Sequence, residues 1–173
     1  MRRIRIVVAY DGTNYCGWQI QPNGITIEEI LNRQISKLTG EDIRIIGASR
    51  TDSGVHALGN VAVFDTESRI PGDRFAYALN QKMPEDIVIV RSDEVQIDWH
   101  PRYQNEISKT YEYHIYNAKV RNPLKNRYST FVSFDLDVEK MRQGAKYILG
   151  EHDFASFCNV PTNAKDTVRT VHE

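Results

Sequence analysis

Alternation of apolar and polar positions opens the chain. Ile4, Ile6, Val8 and Tyr10 alternate with Arg3, Arg5, Val7 and Ala9, a period of two that predicts a first strand with one well-buried face. A turn-rich loop from Asp11 to Gly24 leads to Thr26-Ile27-Glu28-Glu29, the spacing of a helix capping box. Ile27, Ile30, Leu31, Ile35 and Leu38 follow at helical intervals, and Gly40 supplies the stop. Ile43 and Ile45 alternate into a second strand, Arg50 to Gly59 reads as a loop, and Val61 to Phe64 as a third strand. Pro71 opens a second helix carrying Phe75, Ala78 and Leu79 and ending at Met83-Pro84, after which Ile87 to Val90 forms a fourth strand.

The order through about Gln96 is βαββαβ, which predicts an α+β, ferredoxin-like unit: an antiparallel sheet with both helices on one face. After Trp99-His100-Pro101 a second unit begins. Ile107, Lys109, Tyr111, Tyr113 and Ile115 share one face of a predicted strand, Asp137 caps a helix running to Leu149, and Gly150 ends it. Thr167 to Glu173 reads as the opening of a strand with no partner, so the second α+β unit is expected to be incomplete. The expected domains are residues 1–103 and 104–173.

Composition narrows the class. At 173 residues, 40% hydrophobic and 26% charged, the chain can bury a core, and it has no apolar run of the ~18 residues that a membrane helix needs. Cys16 and Cys158 are too few for a disulfide framework or a cysteine-rich zinc site, which fits a reducing, cytoplasmic setting. The basic start Met1-Arg2-Arg3 lacks the apolar stretch of a signal peptide. The net charge of −1 speaks against a partner held by overall basicity, yet it hides segregation. Residues 51–99 hold four basic and nine acidic side chains, whereas residues 100–128 hold six and two together with five of the nine tyrosines. Cations interleaved with aromatics suit phosphate contact and base stacking, the physics of unpaired RNA; a solvated strand and loop has the same composition.

The most specific stretch is Ala48-Ser49-Arg50-Thr51-Asp52-Ser53-Gly54-Val55-His56-Ala57, which sets a carboxylate, a guanidinium and a flexible glycine between two strands. By itself Asp52 reads first as a turn former whose carboxylate bonds nearby backbone N–H groups. His56 reads as a loop-packing histidine, because a metal site would need ligands that only the scattered His100, His114 and His152 could add.

Six ordered elements extend this stretch into a pattern: Tyr10-Asp11-Gly12-Thr13, Gly17-Trp18-Gln19, Arg50 to Ala57, His100-Pro101-Arg102-Tyr103, Lys109-Thr110-Tyr111-Glu112-Tyr113, and Gly150 to Phe157. Together they resemble the tRNA pseudouridine synthase A family. Ser49 departs from the glycine usual before the arginine. The resemblance implies the pseudouridine synthase fold and isomerisation of uridine to pseudouridine in the anticodon stem-loop of tRNA, at positions 38–40. It implies no cofactor, no metal and a homodimer for the full-length protein. It makes Asp52 and Tyr111 catalytic, and Arg50, Tyr111, Lys109 and Arg102 substrate-binding, with Trp18 and Gln19 structural in the first loop. Family members also carry, in a later portion, an arginine that pairs with the aspartate and an apolar residue of the uracil pocket, so these residues alone are expected to turn over weakly or not at all. The alternative is a noncatalytic RNA-binding module on the same βαββαβ order. Its aromatic-rich third strand is missing, since that strand reads Gly59-Asn60-Val61-Ala62-Val63-Phe64.

Overall fold

The structure is a computed structural model that describes residues 1–103, 108–158 and 166–173. The chain divides into two compact units, Met1–Tyr111 and Glu112–Glu173. The boundary expected at 103/104 adjoins residues outside the described set.

In the first unit, β1 (Arg2–Tyr10) buries Ile4, Ile6, Val8 and Tyr10, as the alternation predicts. The first helix, α1 (Ile27–Thr39), starts where the Thr26 hydroxyl accepts the Glu29 N–H, and it stops at Gly40, whose φ of 76° is one that glycine adopts at little cost. β2 (Ile46–Gly47) and β3 (Ala57–Thr66) follow. A 3-10 turn at Gly72–Arg74 then leads into α2 (Phe75–Asn80), and β4 (Ile87–Val95) closes the unit. The sheet order is β2-β3-β1-β4 with every pairing antiparallel, which makes β1 and β3 central and completes the ferredoxin-like arrangement. Phe64 of β3 meets Phe75 of α2 edge-on at 5.3 Å, joining sheet and helix layers in one core with Ile6, Leu31, Leu79 and Ile89.

Several elements differ from their sequence expectation for identifiable reasons. Ile43 and Ile45 are buried, but they lie outside β2, because α1 side chains take their backbone: Ile43 N–H donates to Ser36 Oγ and Ile45 N–H to Asn32 Oδ1, each at 2.9 Å. The second helix stops at Asn80 rather than near Met83, and it buries Ala76 instead of Ala78. At its end the Asn80 side-chain amide turns to β4, donating to the Ile89 carbonyl at 2.9 Å and accepting the Ile89 N–H at 2.8 Å. One side chain thus occupies part of the outer edge of the sheet, where a further strand would pair. β3 begins at Ala57, so the expected loop is shorter at its far end.

The second unit contains β5 (Ile115–Asn117) paired in parallel with β6 (Thr130–Val132), α3 (Val138–Ala145) capped by Asp137, and β7 (Gly150–Asp153) paired antiparallel with β8 (Val168–Val171). Two expectations are corrected here. The tyrosine-rich strand is a ladder only over Ile115–Asn117, and Lys109 to His114 are not in a strand because β6 offers three residues to pair with; Ile107 lies outside the described residues. The final strand does have a partner, with Val168 set opposite Asp153. The helix from Asp137 gives way to a 3-10 turn at Lys146–Ile148 before reaching Leu149. None of the unit's described residues is buried.

Candidate active site

The loop between β2 and β3 is held from the loop that follows β1. Asp52 to Val55 form a tight turn closed by the Val55 N–H on the Asp52 carbonyl at 3.2 Å, with Gly54 at φ 78° in the third position. Around this turn, Trp18 N–H donates to Thr51 O at 3.0 Å, Gly54 N–H to Tyr15 O at 3.3 Å, and Ser53 Oγ to Tyr15 O at 3.2 Å. The glycines of the first loop let the two backbones touch. A Cβ on Gly12 would stand 2.0 Å from Val55 O, and one on Gly17 would stand 2.6 Å from Thr51 O. Gly47, at the start of the second loop, lies flat on the Trp18 indole, where a Cβ would approach to 2.6 Å. Trp18 is buried and Gln19 exposed.

Two further anchors reach into the sheet. Tyr10 OH is hydrogen-bonded to Thr51 Oγ1 at 2.8 Å, and Asn60 Nδ2 donates to Ser49 O at 3.1 Å and to Tyr10 OH at 3.4 Å. His56 Nδ1 lies 3.1 Å from the Gly12 N–H and 3.0 Å from Asp11 Oδ1. Unprotonated, it accepts from Gly12; protonated, it donates to Asp11. In either state it fastens the second loop to the first, the packing role its sequence suggests.

Against this fixed frame, the side chains of Arg50 and Asp52 are exposed and make no hydrogen bond or ion pair with any described residue. The Asp52 turn is therefore made by its carbonyl, and its carboxylate is left over. Arg102 and Lys109 are brought to the strand leading into the loop: Arg102 Nε donates to Gly47 O at 2.8 Å and Lys109 Nζ to Ala48 O at 3.5 Å. His100 precedes them, stacked on Tyr103 at 4.5 Å, with its Nδ1 accepting the Arg102 N–H at 3.1 Å. Partial burial, with Arg102 and Arg3 nearby, holds its imidazole below the usual histidine range, in the neutral form that this bond requires. Tyr111 stands 82% exposed two residues beyond Lys109.

The alternation of β1 places Tyr10 in the core without giving its hydroxyl a task, and Asn60 belongs to none of the sequence motifs. A signal for Asn60 exists: it shares the inward parity of Ala62 and Phe64 on β3, where an amide is out of place unless something satisfies it.

A ferredoxin-like sheet whose β2–β3 loop presents a carboxylate and a guanidinium matches the family model for tRNA pseudouridine synthases over residues 6–104. Over 171 residues the chain is 50% identical to tRNA pseudouridine synthase A of Acetivibrio thermocellus, a match spanning 99% of this chain and 70% of that protein. Its identity to tRNA pseudouridine synthase A of Brevibacillus brevis is 45%, and to tRNA pseudouridine synthase A 2 of Clostridium perfringens 48%, with the same shares covered. The chain belongs to the tRNA pseudouridine synthase family, a family of isomerases, and these matches do not favour a noncatalytic RNA-binding module.

Proposed function

We propose that this chain converts uridine to pseudouridine in the anticodon arm of tRNA, with Asp52 acting at the sugar. The reaction conserves atoms and electrons: the C1′–N1 bond breaks, the uracil turns, a C1′–C5 bond forms, C5 loses a proton and N1 gains one. It calls for no redox partner. It does call for a carboxylate that can attack C1′ or take the 2′ proton, and a carboxylate whose oxygens were already spent on closing its own turn would be a poor one for either route. The observation that carries the reading is the Asp52 carboxylate itself, exposed and unpartnered among the described residues on a loop fastened at Ser49, Thr51, Ser53 and Gly54.

The target base must leave its stack first, at a cost of a few kcal/mol. Arg50, two residues away and equally unengaged, is the cation for the displaced backbone. Tyr111 stacks on the extruded uracil and helps remove the C5 proton. Arg102 and Lys109, which donate to the Gly47 and Ala48 carbonyls at the entry to the loop, contact phosphates. The reading extends to a homodimer of the full-length protein, acting in the cytoplasm. Among the described residues no helix is long and apolar enough to cross a membrane.

Tritium release from tRNA labelled at uridine C5, run as a single turnover with protein in excess so that a slow chemical step is still read, tests this. Release is expected to fall to background in Asp52→Asn with the tRNA dissociation constant unchanged. Undiminished release in that variant would end the assignment. Replacing Arg102 and Lys109 with glutamine should weaken tRNA binding and flatten its salt dependence by roughly one unit of slope per lost phosphate contact.

A further inference from the structure

Among the described residues the side chains of Arg50 and Asp52 make no hydrogen bond or ion pair, so their positions depend on the backbone between Ser49 and Ser53. That backbone is gripped on both sides of Arg50 by two buried polar residues of the central strands. Asn60 of β3, only 8% exposed, donates to the carbonyl of Ser49. Tyr10, the last residue of β1 and 5% exposed, binds the hydroxyl of Thr51 at 2.8 Å, and Asn60 also reaches the Tyr10 oxygen. Tyr10 cannot drift: its backbone pairs with Ala57 on one side and Ile87 on the other, and its ring lies 5.9 Å from the Trp18 indole. The two anchors are thus one connected unit, Ser49–Asn60–Tyr10–Thr51, rooted in the stiffest part of the sheet.

We propose that Tyr10 and Asn60 are positioning residues for the chemical step: they fix the chain on both sides of Arg50, set where Arg50 and Asp52 stand, and act on turnover rather than on tRNA affinity. The inference rests on the function proposed above. Misplacing a reacting group by about 1 Å can cost on the order of a hundredfold in rate, whereas phosphate contacts elsewhere would hold affinity.

The test compares Tyr10→Phe, Thr51→Val, their double variant and Asp52→Asn in single-turnover tritium release, with tRNA dissociation constants and melting temperatures measured alongside. Tyr10→Phe keeps the ring on Trp18 and removes only the hydroxyl. It is expected to slow release roughly 10- to 100-fold with affinity within about twofold. The double variant should be no slower than the slower single one, because both remove the same bond, and Thr51→Ser should recover most of the rate lost in Thr51→Val. A wild-type rate in Tyr10→Phe, losses that multiply in the double variant, or a rate loss matched by lost affinity and melting temperature would overturn the proposal. Asp52→Asn separates the two ideas: if it is inactive while Tyr10→Phe is unimpaired, the function stands and the positioning role falls. If Asp52→Asn is fully active, the function falls, and hydrogen exchange then judges the grip without substrate. The Trp18 amide, bonded to Thr51 O, should exchange at least tenfold faster in Tyr10→Phe while β1 and β3 keep their protection. Unchanged exchange there overturns the proposal by itself.

Discussion

Tyr10 is the last residue of β1 and Tyr15 lies five residues beyond it, and both hide their phenols from water. Burial raises both above the ordinary tyrosine value of 10.0, and Tyr15 is pushed further because its hydroxyl donates to the Asp86 carboxylate. The native state therefore holds protons that the unfolded chain releases near pH 10, so the contribution of these two phenols to stability is constant below that pH and falls as pH rises above it. An absorbance titration at 295 nm should show two phenols ionising only as the fold is lost; ordinary titration of all nine would contradict this assignment. Gly12 makes a second residue-scale prediction. Alanine there pushes against a backbone carbonyl that cannot swing aside, so Gly12→Ala should lose at least about 1–3 kcal/mol by denaturant unfolding, with slower tritium release from the displaced loop. How far such residues are legible varies. Asp52 and Arg50 stand out in the Arg-Thr-Asp string, but Asn60 acts through Ser49 and Tyr10, from positions eleven and fifty residues away, and no local pattern encodes that meeting.

Elements follow the alternation only where a neighbour exists to use it. β1 alternates and lies between two strands, so every residue of the pattern from Arg3 to Tyr10 lies in the strand, which adds only Arg2. Lys109 to Ile115 alternate just as well, yet the ladder is three residues long, because hydrogen bonds need a facing backbone that sequence periodicity does not supply. The reverse holds at Ile43 and Ile45, whose apolar side chains reach the core while asparagine and serine of α1 satisfy the backbone. Asn80 is the same device on the opposite edge of the sheet. Asn80→Ala leaves the Ile89 N–H and carbonyl without their partner, and urea unfolding should report a loss of about 1–3 kcal/mol. An unchanged midpoint would mean that solvent replaces both bonds.

At the scale of the molecule, the two units differ in kind. The first closes a core between sheet and helices; the second has short two-stranded ladders and, among its described residues, nothing buried, so little hydrophobic stabilisation resists its opening. Hydrogen exchange of the chain should therefore find amides of β5 to β8 exchanging orders of magnitude faster than those of β1 and β3, and comparable protection in both would refute this. The βαββαβ order was legible because its elements other than β2 answer to a local signal, whereas the pairing of β8 with β7 joins segments fifteen or more residues apart. The contact of Gly12 and Gly17 with the Asp52 turn has a practical corollary for protein engineers. The turn is not a cassette: grafted alone onto another ferredoxin-like scaffold it would arrive without half of its mould, and a working transplant would have to carry residues 10–18 together with residues 47–60 as a single interlocked part.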